Sequence, residues 1–477
     1  MRWITRLRRP VIGVVLLTGP VAQSETISDA LASAYRANPE LNQQRAIVRV
    51  TDERVGRAAA GFRPRITATL DAGFQFTEER QPSSAVDGGV AASVVGGSGH
   101  RTSTASRYTS KPRGVGVEIQ QTFFDGNRTF NSVRQAESQV FGARESMRIT
   151  EQNTLLNAAA SYMNVLRDAA ILNLRRSNVA VLAEQLRQTR DRREAGQLNQ
   201  TDVAQAAASL AQARSNLYAA QADLQGSTAS YRQVVGREPR RLSPARSLER
   251  SLPRTLTEAT TVSQTEHPAI TSALHDVDAA ALAVRIEEGV LYPTVTLNGA
   301  FAKRADVEGL QGSRSLTASL VGQVSIPLYQ DGGEYASIRQ AKEQVSQARL
   351  NADVQRDQVR AAVVSAWGSL EAAKAQIASG QSAAAAAEIA LYGIREEARA
   401  GQRTTFDILN SQQALLNARV NLVVAQRDRV VGSYAVLASM GRLSPTTLSL
   451  DIDLYDPTVH FDQVKSKLFG VRTPDGR

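Results

Sequence analysis

Two kinds of polar–apolar alternation divide this chain. In four short stretches the period is two. Val295, Leu297 and Phe301 alternate with Thr294, Thr296 and Asn298, and Leu316, Leu320, Val324 and Ile326 alternate with Thr317, Ser319, Gln323 and Ser325. Earlier in the chain, Ile66, Ala68 and Leu70 alternate with Thr67, Thr69 and Asp71, and Val115, Val117 and Ile119 flank Gly116 and Glu118. A period of two puts the apolar side chains on one face of a strand. About ten residues is the length of a tilted strand that crosses a bilayer, although ordinary amphipathic hairpins give the same pattern.

Elsewhere the period is seven. Val165, Leu172, Val179 and Leu186 form one series, Val203, Leu210, Leu217, Leu224 and Tyr231 a second, and Leu409, Leu416, Val423, Val430 and Leu437 a third. A sustained heptad specifies left-handed helix-on-helix packing. Residues 128–195 and 334–400 contain no Pro, and their only glycines are 142, 368, 380 and 393. Each predicts a helix of about 67 residues, on the order of 100 Å long. Shorter helices over about 26–61 and 202–236 would together match one long rod.

The pattern occurs twice. At an offset of 205, RQAESQV (134–140) meets RQAKEQV (339–345), ARSNL (213–217) meets ARVNL (418–422), and Asp202 meets Asp407. Upstream the offset is 229, aligning Asn38-Pro39 with His267-Pro268 and Arg63-Pro64 with Tyr292-Pro293. The first copy therefore holds 24 extra residues. They fall within 77–113, where 16 of 37 residues are Ser, Thr or Gly, a composition that predicts a polar surface loop.

Each copy also contains a Gly-Gln turn followed by an Asp: EAGQLNQTDV (194–203) and ARAGQRTTFDI (398–408). Gly196 and Gly401 suit the position after a helix end that needs positive φ. Asn199 and Thr404 suit the next N-cap, with Asp202 and Asp407 three residues on. On this reading the carboxylates cap helices.

Composition narrows the function. The chain has 477 residues, no Cys, 5% aromatics and a net charge of +10. Four of those charges, Arg2, Arg6, Arg8 and Arg9, precede the apolar run 11–17, and Ala22-Gln23-Ser24 has small-x-small form. This predicts a signal peptide over 1–24 and an exported chain of net charge +6. The remaining charge is dispersed, which disfavours nucleic-acid binding. His100, His267, His275 and His460 lie in unrelated segments without metal-ligand spacing, Trp367 sits in an Ala-rich helix, and no nucleophile–base arrangement or phosphate loop stands out. No cofactor, metal or enzymatic activity is expected. The exported chain also has no apolar run long enough for a membrane helix. Four strands cannot close a barrel, and open edges are not tolerated in lipid, so other copies must complete the wall. Three chains give twelve strands, whereas two give eight, a bore normally filled by side chains.

These features together resemble the TolC family of outer-membrane efflux and secretion channels. The resemblance rests on ISDALASAYRANPEL (27–41) with GFRPRITATL (61–70), on the second copy HPAI (267–270) with LYPTVTL (291–297), and on Phe-Asp-Gly (124–126) and Tyr-Gln-Asp-Gly-Gly (329–333) at strand-to-helix handovers. The stretch 455–477 resembles family tails. The resemblance implies a mixed α+β membrane protein with internal duplication: four β-strands per chain in a trimeric twelve-strand outer-membrane barrel, and antiparallel coiled-coil helices forming a periplasmic α-barrel. It also implies a homotrimer set in outer-membrane lipid, exporting drugs or proteins with a periplasmic adaptor and an inner-membrane pump or ABC exporter.

The implied layout is a signal peptide (1–24), a periplasmic helix (25–64), a β-hairpin (65–124) with an extracellular loop (77–113), long and short helices (125–237) with a tip at 195–202, and a linker (238–256). The second repeat follows as a periplasmic helix (257–293), a hairpin (294–328) and helices (329–442) with a tip at 400–407. A periplasmic tail (443–477) ends the chain.

The resemblance further places a periplasmic selectivity ring at Asp407, with Asn410 where a second acidic ring is expected, so a less acidic aperture is implied. A tip latch is implied from Arg403 to Thr201 and Asp202 of the neighbouring hairpin, with Ala398 replacing a latch Tyr. Gly196, Gln197, Leu198, Gly401 and Gln402 are implied to meet the adaptor. The rival reading is a periplasmic coiled-coil adaptor or structural rod with soluble hairpins.

Overall fold

The structure, a computed structural model, describes residues 24–82, 103–307, 312–474 and 476. Nearly all of the expected signal peptide, His100 and the centre of the 77–113 segment lie outside these residues. Helices and strands run in the order α1 (Ile27–Ala37), α2 (Pro39–Ala59), β1 (Arg65–Ala72), β2 (Gln75–Pro82), β3 (Ser103–Ser110), β4 (Arg113–Phe124), α3 (Arg128–Glu194), α4 (Gln200–Val235), α5 (Leu256–Glu266), α6 (Pro268–Glu288), β5 (Thr294–Ala305), β6 (Arg314–Ser325), α7 (Gly333–Arg399), α8 (Thr405–Ser439) and α9 (Pro457–Val464). Lengths recur: α1 and α5 have 11 residues each, α2 and α6 21, and α3 and α7 67.

Two differences from the sequence expectations have plain causes. The helices expected over 25–64 and 257–293 are each split. Proline disfavours the α conformation in the residue before it, and Asn38 and His267 take extended backbone at ψ 123° and 124°. Both then cap the helix that follows: Asn38 Oδ1 accepts from Glu40 N at 2.9 Å, and His267 Nδ1 accepts from Ala269 N at 3.2 Å. Burial holds the His267 imidazole below its ordinary pKa, which suits a neutral acceptor. The loop expected over 77–113 is in part a paired ribbon. β2 and β3 form a two-stranded antiparallel sheet in which Glu78 faces Arg107, an ion pair at 3.2 Å.

The chain divides into two compact units. The first comprises 1–47, 144–272 and 353–456, and the second 48–143, 273–352 and 457–477. In the first unit, Leu155, Tyr162, Tyr231, Leu370, Tyr434, Leu437 and Met440 belong to one core. The three heptad series are buried or half-buried along their lengths. The start of the described chain is anchored in this unit. The buried Glu25 carboxylate takes hydrogen bonds from Tyr231 Oη at 2.6 Å and Arg240 N at 3.1 Å, and pairs with Arg237 at 2.7 Å. Tyr162 Oη donates to the Glu25 carbonyl at 2.9 Å. A buried carboxylate is tolerated only when hydrogen-bonded and charge-paired in this way.

In the second unit the main sheet has the order β1-β4-β5-β6, antiparallel throughout. Register puts Ile66, Ile119, Gly299 and Leu320 on one rung, and Ala68, Val117, Phe301 and Ala318 on another. Side chains directly opposite share a face, so these rungs build one apolar surface. The intervening rungs, Thr67-Glu118-Ala300-Ser319 and Thr69-Gly116-Ala302-Thr317, build a face of small and polar residues. The apolar side chains are not covered: Ile66 is 64% exposed, Leu320 73% and Leu70 83%. Among the described residues, the outer edges of β1 and β6 have no partner strand.

Candidate functional site at the hairpin tips

Both helical hairpins turn through a glycine in the left-handed region, Gly196 at φ 75° and Gly401 at φ 80°. At each turn the next amide folds back on the ending helix: Gln197 N donates to Arg192 O and Gln402 N to Glu397 O, both at 2.9 Å. This satisfies carbonyls that a helix end otherwise leaves unpaired. Leu182, Leu186, Val203, Ala206, Leu210 and Leu409 pack into a small core that holds the turns in place.

The second tip carries the fuller cap. Thr404 N and Thr404 Oγ1 donate to Asp407 Oδ2 at 3.0 and 2.8 Å, and Asp407 N donates back to Thr404 Oγ1 at 3.3 Å. The backbone and hydroxyl donors of Thr404 hold the Asp407 carboxyl below its usual range, assisted by Arg403. At the first tip, Asn199 N donates to Asp202 Oδ2 at 3.3 Å. Capping is therefore a role that both carboxylates occupy.

A cleft of about 870 Å³ lies between the two turns. Gln197, Leu198, Asp202, Gly401 and Arg403 line it together with Ala398, while Gly196, Thr201, Gln402, Asp407 and Asn410 lie outside its walls. Arg403 Nε donates to Glu397 Oε2 at 2.8 Å, within its own hairpin. Glu397 is the tip residue that sequence reading missed; its partner stands six positions on across a turn, outside any helical spacing rule. Thr201 and Asn410 are exposed, and Asp202 and Asp407 half-buried.

The remaining histidines of the described chain have structural surroundings. His275 packs against Phe141 with ring centroids 5.5 Å apart, and His460 Nδ1 lies 2.9 Å from Asp52 Oδ2. Trp367 packs at the margin of the main core.

The sequence model for "Outer membrane efflux protein" matches residues 30–237 and 262–442. The chain is 41% identical over 462 residues to the outer membrane efflux protein BepC of Brucella suis biovar 1, covering 97% of this chain and 95% of that one. It is 22% identical to the outer membrane protein TolC of Escherichia coli K12, covering 92% and 87%. Among solved structures, the CmeC outer membrane channel of Campylobacter jejuni superposes with a TM-score of 0.73 at 14% identity, covering 92% of this chain and 89% of that one. The outer membrane protein VceC of Vibrio cholerae superposes with a TM-score of 0.68 at 20% identity, covering 87% and 96%.

The chain belongs to the outer membrane efflux protein family. It is an outer-membrane export channel, a transporter rather than an enzyme, which sets aside the reading as an adaptor or rod.

Proposed function

We propose that three copies of this duplicated protomer close a twelve-strand barrel in the outer membrane and form a periplasmic helical tunnel. One observation carries this reading: a four-stranded sheet with an uncovered apolar face and two unpartnered edges. Neither feature is tolerable in water, and both are resolved when identical sheets join edge to edge in lipid. The polar face then lines the pore. Three copies give a bore wide enough for cargo, whereas eight strands would be filled by side chains.

In this assembly the tips form the periplasmic mouth. Asp407 supplies a threefold ring of carboxylates, and the neutral Asn410 leaves the aperture with a single acidic layer. Arg403 is held by Glu397 in one protomer, which keeps its guanidinium beside the cleft that Asp202 also lines. A latch from Arg403 to Asp202 and Thr201 of a neighbouring hairpin would exchange this internal partner for an external one. The turns Gly196-Gln197-Leu198 and Gly401-Gln402 present the backbone and side chains that a periplasmic adaptor would meet. That adaptor would couple the channel to an inner-membrane pump or ABC exporter carrying drugs or proteins.

Planar-bilayer recordings test the mouth. Arg403→Ala and Asp202→Ala are expected to raise single-channel conductance, and unchanged conductance in both rules out the latch. Asp407→Asn is expected to lower cation preference. Contacts within one protomer depress the Asp407 pKa, while repulsion within a threefold ring of carboxylates acts in the opposite direction. Preference should be lost as pH falls through the ring's own pKa, which the protomer's contacts pull under the ordinary aspartate value of about 3.9. The cap itself follows the same sign: it is fully present above that ordinary value and lost as pH falls through the depressed one. A preference that titrates above that ordinary value would report repulsion among the three ring carboxylates, whereas a preference that Asp407→Asn leaves unchanged contradicts the assignment of Asp407.

A further inference from the structure

The C-terminal segment is held in a way that the channel architecture does not require. Helix α9 is fixed to α2 by the buried contact between His460 and Asp52 at 2.9 Å. Phe461 packs with Val55, Ala136 and Val140. After α9 the chain makes a closed turn. Lys467 N donates to Val464 O at 3.1 Å, the Lys467 ammonium donates to the Arg472 carbonyl, and Gly470 takes φ 110°. The turn is pinned to the sheet: Arg63 Nη1 donates to the Lys467 carbonyl at 3.0 Å, two residues before β1 begins at Arg65.

What this turn presents is unusual for an ordered, tethered segment. Leu468 is 69% exposed, Phe469 88% and Val471 100%. Lys467 and Arg472 flank them, while Lys465 is paired with Asp462 at 2.7 Å, and no Asp or Glu occurs from 463 to 474. A contiguous apolar cluster on an ordered surface marks a binding site more often than chance. Its position identifies the occupant. Exposed Phe62, Phe124, Tyr292, Leu328 and Tyr329 cluster at the same end of the strands, near the starts of β1 and β5 and the ends of β4 and β6. Apolar and aromatic side chains at strand ends mark the water–lipid boundary of a membrane barrel.

We infer that the turn 467–472 is a membrane-interface anchor: Leu468, Phe469 and Val471 enter the periplasmic leaflet of the outer membrane while Lys467 and Arg472 engage anionic phospholipid headgroups. This rests on the reading of the sheet as a membrane wall. An apolar insertion backed by cations is the combination that holds a segment in the headgroup layer, because neither term alone binds stably. The anchor fixes the depth of β1, and through α9 it ties α2 to the bilayer surface.

Tryptophan quenching tests the anchor in the full chain. In a Trp3→Phe/Trp367→Phe background, Phe469→Trp reports the turn and Leu320→Trp reports the sheet, each in nanodiscs of brominated phosphatidylcholine with or without phosphatidylglycerol. The inference expects Phe469→Trp to have blue-shifted emission, quenched at least about twofold by bromines near the headgroups. Quenching should increase with phosphatidylglycerol, and adding Arg472→Glu should abolish that increase. Water-like, unquenched emission overturns the inference. So does blue-shifted emission without bromine quenching, which would assign the turn to a neighbouring copy of the chain. If Leu320→Trp is quenched and Phe469→Trp is not, the anchor alone fails; if neither is quenched, the membrane reading of the sheet fails with it.

Discussion

Leu320→Arg should reduce the amount of channel in the outer membrane by more than tenfold, while Ser319→Arg, one residue away, should leave it nearly unchanged. Leu320 is 73% exposed on the apolar face, on the rung it shares with Ile66, Ile119 and Gly299. Ser319 shares the opposite face with Thr67, Glu118 and Ala300. An arginine facing lipid near the bilayer midplane costs about 2–4 kcal/mol, and a trimer would carry three of them. The same arginine facing a water-filled pore costs little. Membrane fractionation with immunoblotting reads the difference. If the two variants behave alike, the apolar face does not meet lipid.

The second large effect concerns a glycine that the sequence marked only as part of Phe-Asp-Gly. Gly126, at φ 69°, turns the chain from β4 into α3, and a Cβ there would lie 2.2 Å from the Gly289 carbonyl oxygen and 3.0 Å from Tyr292 Cβ. Gly289 is equally confined, since its own Cβ would meet the Gly126 carbonyl oxygen at 2.8 Å. Two backbones thus touch where side chains would separate them. Gly126→Ala combines about 1–2 kcal/mol of left-handed strain with an overlap that only backbone movement relieves. We expect a loss of at least about 3 kcal/mol, read as a marked drop in folded yield and thermal midpoint. Gly196→Ala is the matched control: φ is 75°, but among the described residues nothing lies within 4 Å of the added carbon. It should show the conformational strain alone, and a Gly126→Ala variant as mild as this control would contradict the close approach.

The contrast between these glycines shows what the sequence could and could not convey. Positive φ at Gly196 and Gly401 was legible because a helix end, a Gly and a capping Thr or Asn follow each other locally. The apolar face of the sheet was legible from alternation within each strand, since register only adds copies of the same pattern. The long helices were legible because the heptads at Val165–Leu186 and Leu409–Leu437 run without proline. Contacts between distant segments were not. His460 and Asp52 are 408 positions apart, and Arg63 and Lys467 are 404 apart. No local spacing rule joins them. The β2–β3 ribbon was hidden by its composition, because Ser, Thr and Gly score as loop although Phe76 and Tyr108 lie on it. The breaks at Pro39 and Pro268 were visible as residues, but the helical pattern on either side outweighed them.

The family relationship fixes the class of protein and its membrane; the stoichiometry rests on the open sheet. Native mass spectrometry of the detergent-solubilised, full-length mature channel measures it directly. Unsatisfied edges at β1 and β6 together with an uncovered apolar face predict a mass of three chains that persists on dilution. A stable species containing one chain, or one that stays folded in buffer after the detergent is removed, would contradict it.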